Sequence, residues 1–128
     1  MSEIRDDVRY TENHEWVQLD GTTAKVGITD YAQDSLGEIV YVELPEVEDQ
    51  FSQGDEVASI ESVKAAAPVY APMGGRIVRV NKKLEDSPEL LNEAPFKNPI
   101  YTLEVDDPDE YAELMDSDAY ADFLKERE

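Results

Sequence analysis

Between residues 15 and 105 the chain offers only short β-favouring runs, and glycine, proline or an Asp-Gly pair punctuates most of them. The runs are "EWVQL" (15–19), "TTAKVGI" (22–28), "EIVYVEL" (38–44), "EVASIES" (56–62), "APVYAP" (67–72), "RIVRV" (76–80) and "PIYTLEV" (99–105). β-Branched and aromatic residues suit a pleated strand, and proline or glycine interrupts it. Asp20-Gly21 between the first two runs is a hairpin signal. Pro45 stops the third, and residues 45–56 read as an acidic loop ending at Gly54-Asp55. Pro68 and Pro72 hold 67–72 extended, and Met73-Gly74-Gly75 is a turn. The expected class is mainly β.

Helices are confined to what remains. In "TDYAQDSLG", Thr29 or Asp30 can cap, Gln33 follows Asp30 by three as in a capping box, and Gly37 can end the helix. Ser87-Pro88 can start a turn through 88–92, and Asp107-Pro108 places a cap and a first-turn proline at the head of the tail. There Tyr111, Leu114 and Met115 share a face, and Tyr120, Phe123 and Leu124 recur at helical spacing after Asp116 or Ser117. The length suits one domain over 1–128, with a β core at about 8–105 and a helical segment at about 107–127. Residues 37–42 and 75–80 both read G-x-I-V-x-V, an echo that suggests two related strands.

The net charge is −20, from 31 Asp+Glu against 11 Lys+Arg. Nucleic acid and anionic membranes are poor partners for such a surface, because both are bound through positive charge. Self-repulsion at this charge weakens a compact state at low salt, whereas at 1 M salt the screening length is only about 3 Å. A halophilic source is expected. The opening "MSEIRDDVRY" has no apolar run, and no stretch approaches a membrane span. The chain is expected to be soluble and cytoplasmic.

Side-chain catalysis has little to work with. There is no cysteine, His14 is the single histidine, and no G-x-S-x-G elbow accompanies it. No zinc-ligand set, phosphate-binding glycine loop or dinucleotide fingerprint occurs. "DSDAYAD" (116–122) lacks the glycine that a calcium loop needs at its sixth position. What remains is Lys64 in "ESVKAAA" (61–67), between a strand at 56–62 and an extended stretch at 67–72. A lysine at such a hairpin tip is exposed. It is either an ordinary surface lysine or the attachment point of a carried group.

The stretches "NHEWV" (13–17), "VGITDYAQDSLGEIVYVELPEV" (26–47), "GDEVASIESVKAA" (54–66), "YAPMGGRIVRVN" (70–81) and "SPELLNEAPF" (87–96) resemble the glycine cleavage system H protein family over nearly the whole chain. The resemblance implies a lipoyl/biotinyl-like barrel-sandwich hybrid with short helices and a C-terminal helical extension. It implies lipoate on Lys64, with Glu61, Ser62, Val63 and Ala65 forming the face that lipoate-attaching enzymes read, and Glu15 near the cleft that shelters the loaded arm. A biotinyl domain is disfavoured, since Val63 and Ala65 stand where methionines would flank the lysine. The implied role is a carrier, not an enzyme. It would shuttle the aminomethyl group of glycine from a pyridoxal-phosphate glycine decarboxylase to a tetrahydrofolate-dependent aminomethyltransferase, with dihydrolipoamide dehydrogenase as a third partner. The alternatives are an H-like protein serving lipoyl relay or another lipoate-dependent pathway, and a non-lipoylated binding module. Two places depart from the family pattern: Ala67-Pro68 after the lysine, where serine and often an acid follow, and "KNPIY" (97–101), where glycine and tryptophan precede the last strand.

Overall fold

Trp16 and Gly27 stand directly opposite each other on neighbouring strands, and their fit fixes the first hairpin. The indole lies so close over Gly27 that a β-carbon there would come within 2.7 Å of it. The indole N–H donates to the Pro95 carbonyl at 3.2 Å, which satisfies the polar edge of a buried ring. This hairpin belongs to a computed structural model that describes residues 2–127; Met1 and Glu128, the ends of the expected 1–128 span, lie outside the described residues.

In chain order the elements are β1 (Arg9–Tyr10), β2 (Glu15–Asp20), β3 (Thr23–Ile28), α1 (Asp30–Leu36), β4 (Ile39–Glu43), β5 (Gln50–Phe51), β6 (Glu56–Ser62), β7 (Ala66–Tyr70), β8 (Gly75–Val80), α2 (Lys83–Asp86), α3 (Leu90–Glu93), β9 (Tyr101–Val105), a 3₁₀ helix (Pro108–Glu113) and α4 (Ser117–Arg127). The strands form two antiparallel sheets, one in the order β1-β2-β3-β9-β8-β5 and one in the order β4-β6-β7. Val17, Val26, Ile77 and Leu103 of the larger sheet pack in one cluster with Ile39, Val42, Ile60 and Val69 of the smaller. Each such side chain contributes about 1.5–3 kcal/mol when fully buried.

Most expected elements are present, with shifted details. The β2–β3 turn is centred on Gly21-Thr22, because Asp20 already pairs with Thr23. The expected loop at 45–56 contains β5, a strand made by pairing with distant β8. The turn after Ser87-Pro88 is α3, preceded by an unforeseen α2. In the tail, Asp107 caps a 3₁₀ helix. The chain then extends at Leu114, and Met115 bridges to Tyr10 before α4 begins. Tyr120 and Leu124 of α4 are buried against Tyr10 and Trp16, with Tyr120 stacked on Tyr10 at 4.2 Å between ring centroids.

The two departures also have places in this frame. Pro68 lies in β7, an edge strand where a missing N–H is tolerated. Asn98 is buried, and its amide donates to the carbonyls of Leu90 and Ala94 at the end of α3. The echo at 37–42 and 75–80 falls in β4 and β8, in different sheets. Each copy carries a register shift between its isoleucine and the residue two further on, Ile39/Tyr41 and Ile77/Arg79.

Among the described residues only three ion pairs form, all on the surface: Arg5–Asp7, Arg76–Glu48 and Lys125–Asp122. Such pairs are worth at most about 1 kcal/mol each, and, being neutral overall, they leave the net charge of −20 untouched. Among the described residues no helix is long and apolar enough to cross a membrane. The free energy of unfolding, measured by denaturant titration, is expected to rise between low and molar salt. A flat or falling response would contradict a surface governed by self-repulsion.

Candidate functional site

The β6–β7 hairpin closes through Ser62. Its N–H donates to the Ala65 carbonyl at 2.8 Å. Its hydroxyl accepts from the N–H groups of Lys64 and Ala65 at 3.3 and 3.1 Å. The two central residues, Val63 and Lys64, turn the chain without a positive φ. The hydroxyl therefore does locally what glycine does in other hairpin turns. Lys64 is exposed at this tip, and Glu61, Val63 and Ala65 are exposed around it. Ser62 is buried and spent on the turn, so its role is to shape the tip from inside.

The tip rests on the end of α1. The Val63 N–H donates to the Glu38 carbonyl at 3.0 Å, and the Lys64 Cε lies 3.5 Å from where a β-carbon on Gly37 would stand. Gly37 ends α1 with φ +78°, a conformation that favours glycine. Asn92 of α3 braces this platform: its amide donates to the Gly37 carbonyl at 2.8 Å, and its Oδ1 accepts from the Ile39 N–H at 2.9 Å. The helix stop at Gly37 was readable from sequence, but nothing local marked Asn92 as its brace. Tyr41, paired opposite Glu61, and Val40 add exposed apolar surface beside the tip.

Glu15 is not an exposed strand carboxylate: it is 1% exposed. One oxygen accepts from the Thr11 hydroxyl, the other from the Tyr70 N–H at 3.1 Å. It lines a cavity of about 250 Å³ with Tyr10, Thr11, Gln53, Tyr70 and Met115. This cavity lies at the opposite end of β7 from the tip. Four residue steps, about 13 Å of strand, separate Ala66 from Tyr70, so Lys64 and Glu15 are not in contact. Burial holds the Glu15 carboxyl above its ordinary 4.5, against the hydrogen bonds from Thr11 and Tyr70, which favour the ionised form. Burial, and then the Glu15 charge, likewise push the Tyr101 hydroxyl up; among the described residues it is the one buried side-chain polar atom without a partner.

His14, at φ +66°, is tied into the fold. Its Nδ1 lies 2.8 Å from the Tyr120 hydroxyl and its ring packs on Tyr31. Among the described residues no group of three His, Asp or Glu could hold a metal ion.

Two outcomes are expected. Replacing Ser62 with alanine removes about 1 kcal/mol from the tip and speeds amide hydrogen exchange at Lys64 and Ala65 about fivefold; unchanged exchange would mean the hydroxyl does not set the turn. For Glu15, a carboxyl with a higher pKa folded than unfolded binds its proton more tightly in the folded chain. Its contribution is thus fully present in acid, below the unfolded pKa, and is lost as pH rises from about 4.5 through the raised value. Wild-type stability should fall more steeply across that window than that of Glu15→Gln. Parallel slopes would overturn the assignment.

Residues 8–127 match the family model described as Glycine cleavage H-protein. The chain is 46% identical over 126 residues to the "Glycine cleavage system H protein" of Halothermothrix orenii, covering 98% of each. It is 49% identical over 124 residues to the "Probable glycine cleavage system H protein" of Haloarcula marismortui, covering 96% of this chain and 98% of that one. Among solved structures, the glycine cleavage system H protein of Mycobacterium marinum superimposes with a TM-score of 0.88 at 32% identity, over 95% of this chain and 99% of that one. The two sheets and the helical end are thus a lipoyl/biotinyl-like barrel-sandwich hybrid, as expected.

Proposed function

The chain belongs to the glycine cleavage H-protein family, and from that premise we propose that Lys64 is the lysine to which its lipoyl arm is joined through an amide. Proteins of this family are lipoyl carriers of the glycine cleavage system with lipoate held covalently on a lysine, and this chain is one of them. One observation carries the choice of lysine. Lys64 occupies the tip of a hairpin stapled from inside by Ser62, with its side chain exposed and outside every ion pair among the described residues. An exposed primary amine on a fixed tip fits an acylated arm, since the amine is reachable from solvent and its base does not wander.

When bound, the group supplies the dithiol–disulfide chemistry by which the aminomethyl group of glycine passes from a pyridoxal-phosphate glycine decarboxylase to a tetrahydrofolate-dependent aminomethyltransferase, with dihydrolipoamide dehydrogenase restoring the disulfide. The chain's own residues position it. Ser62 holds the turn, and Gly37, Glu38 and Asn92 support it from below. Glu61, Val63 and Ala65, exposed beside Tyr41, form the face that lipoate-attaching enzymes read. The bare Lys64 ammonium lies by the C-terminal end of α1, where a cation is favoured; acylation removes that charge and with it a reason to stay docked. Glu15 offers a buried carboxylate to a cationic amine that enters the neighbouring cavity, where an unpaired ammonium would be costly. We assign the chain no catalysis of its own: His14 is engaged with Tyr120 and there is no cysteine nucleophile.

Peptide mapping of native protein by mass spectrometry is expected to find a lipoyl-sized increment on the Lys64 peptide. Lys64→Arg is expected to keep the fold, as seen by circular dichroism, and to lose glycine–bicarbonate exchange with the decarboxylase to below detection. An unmodified Lys64 peptide beside a modified lysine elsewhere, or full exchange by the variant, would sink the assignment.

A further inference from the structure

On the solvent side of β3, β9 and β8 lies a cavity of about 660 Å³ whose charge is opposite to that of the molecule. Lys25, Arg79, Lys82, Lys83 and Lys97 line it, five of the chain's 11 basic residues, and none of its 31 acidic residues does. All five are exposed, and none forms an ion pair among the described residues. Thr102 sits directly between Lys25 and Arg79 in the strand register, which puts those two cations on either side of one hydroxyl, about 10 Å apart. Lys82 and Lys83 are the N-cap and first residue of the single-turn α2. Collecting five like charges without counter-carboxylates opposes folding. The rest of the surface shows that acids were available to neutralise them.

We infer that this cavity binds a small polyphosphate. The volume falls within the roughly 300–1,000 Å³ of small-molecule sites, which favours a compact ligand over a protein face. Arg79 supplies a planar fork for phosphate oxygens, and the lysines supply mobile point charges around it. Such a set suits several negative charges packed in a small volume. The surrounding −20 charge repels long polyanions such as nucleic acid but does not close a concave site to a short one. Lys25 also borders a groove containing Asp7 and Asp20, and Lys97 one containing Glu3, Asp30 and Glu93, so the binding weight falls on Arg79, Lys82 and Lys83.

The test is an NMR titration of the ¹⁵N-labelled full chain with inorganic triphosphate and, separately, ATP, at the lowest salt at which the fold is intact. Citrate and a short polyglutamate peptide serve as comparison ligands. Saturable shifts are expected at residues 79–83, 97 and 102, with at least tenfold weaker binding in the Arg79→Gln/Lys83→Gln double variant. Lys82→Gln/Lys97→Gln should weaken binding independently, in case the first pair disturbs β8. ATP bound at least tenfold tighter than triphosphate would assign a nucleotide; equal affinities would assign the polyphosphate group alone. No shift at these residues, undiminished binding by both double variants, or tighter binding of citrate or the acidic peptide would overturn the proposal.

Discussion

The hydroxyl of Thr29, wholly buried, sits where the chain first passes from the larger sheet to the smaller. It accepts from the Ala32 N–H at 3.2 Å and so caps α1, the only link between β3 and β4. It also accepts from the Tyr120 hydroxyl at 2.9 Å, which ties α4 to the same spot. The Thr29 N–H reaches the His14 carbonyl at 3.0 Å, and the His14 Nδ1 meets the Tyr120 hydroxyl. With Tyr120 donating to Thr29, His14 presents Nδ1–H toward Tyr120. α1 and α4 thus converge on the Thr29 side chain, and His14 joins them through the Thr29 N–H and the Tyr120 hydroxyl. The start of α1 sets where Gly37 ends it, and Gly37 carries the platform under the Lys64 tip.

The interior treats charge in two ways. Glu15 is buried with two donors and an elevated pKa, at the base of the hairpin that bears Lys64. The lysine itself is exposed at the tip of that hairpin. A carrier needs this division. The attachment point must be reachable by several enzymes in turn, and so must be cheap to expose. In the role proposed for it, Glu15 would meet a cation in a dry place, where a single carboxylate is worth more than it is in water. β7 separates the two positions, with the Lys64 tip just before its first residue and the cavity that Glu15 of β2 lines at its last, Tyr70.

Much of the frame could be read from local chemistry. Asp20-Gly21, Pro45, the capped "TDYAQDSLG" and the proline-held stretch at 67–72 each mark a boundary through the residues that form it. What was missed depends on distance. β5 exists only because Gln50 and Phe51 pair with Arg76 and Gly75, and two residues carry no period of their own. The tail begins as 3₁₀ because Met115 must leave the helix to bridge Tyr10, a contact made across the whole chain. Glu15 sits in a strand whose neighbours are apolar, yet a carboxylate in such a run reads as a surface residue. Its burial depends on Thr11 and Tyr70 arriving as donors. Ser62 was legible as part of the attachment motif, but its work inside the turn required the positions of Lys64 and Ala65 relative to its hydroxyl.

The repeated G-x-I-V-x-V segment links the two surfaces for which roles are proposed. In an ordinary strand successive side chains alternate between faces, and a bulge breaks that alternation by setting two residues against one. In β4 the irregularity follows Ile39, and both Val40 and Tyr41 turn outward, 47% and 49% exposed, beside the Lys64 tip. In β8 it follows Ile77, and Val78 and Arg79 both line the basic cavity. The buried isoleucine is kept in each case, so the core sees the same residue while the surface sees two consecutive side chains. One local device, used once in each sheet, thus presents an apolar shoulder beside the Lys64 tip and a wall of the basic cavity proposed to take an anion. Because the isoleucine anchors and the bulge presents, the two presented residues can differ completely without disturbing either sheet.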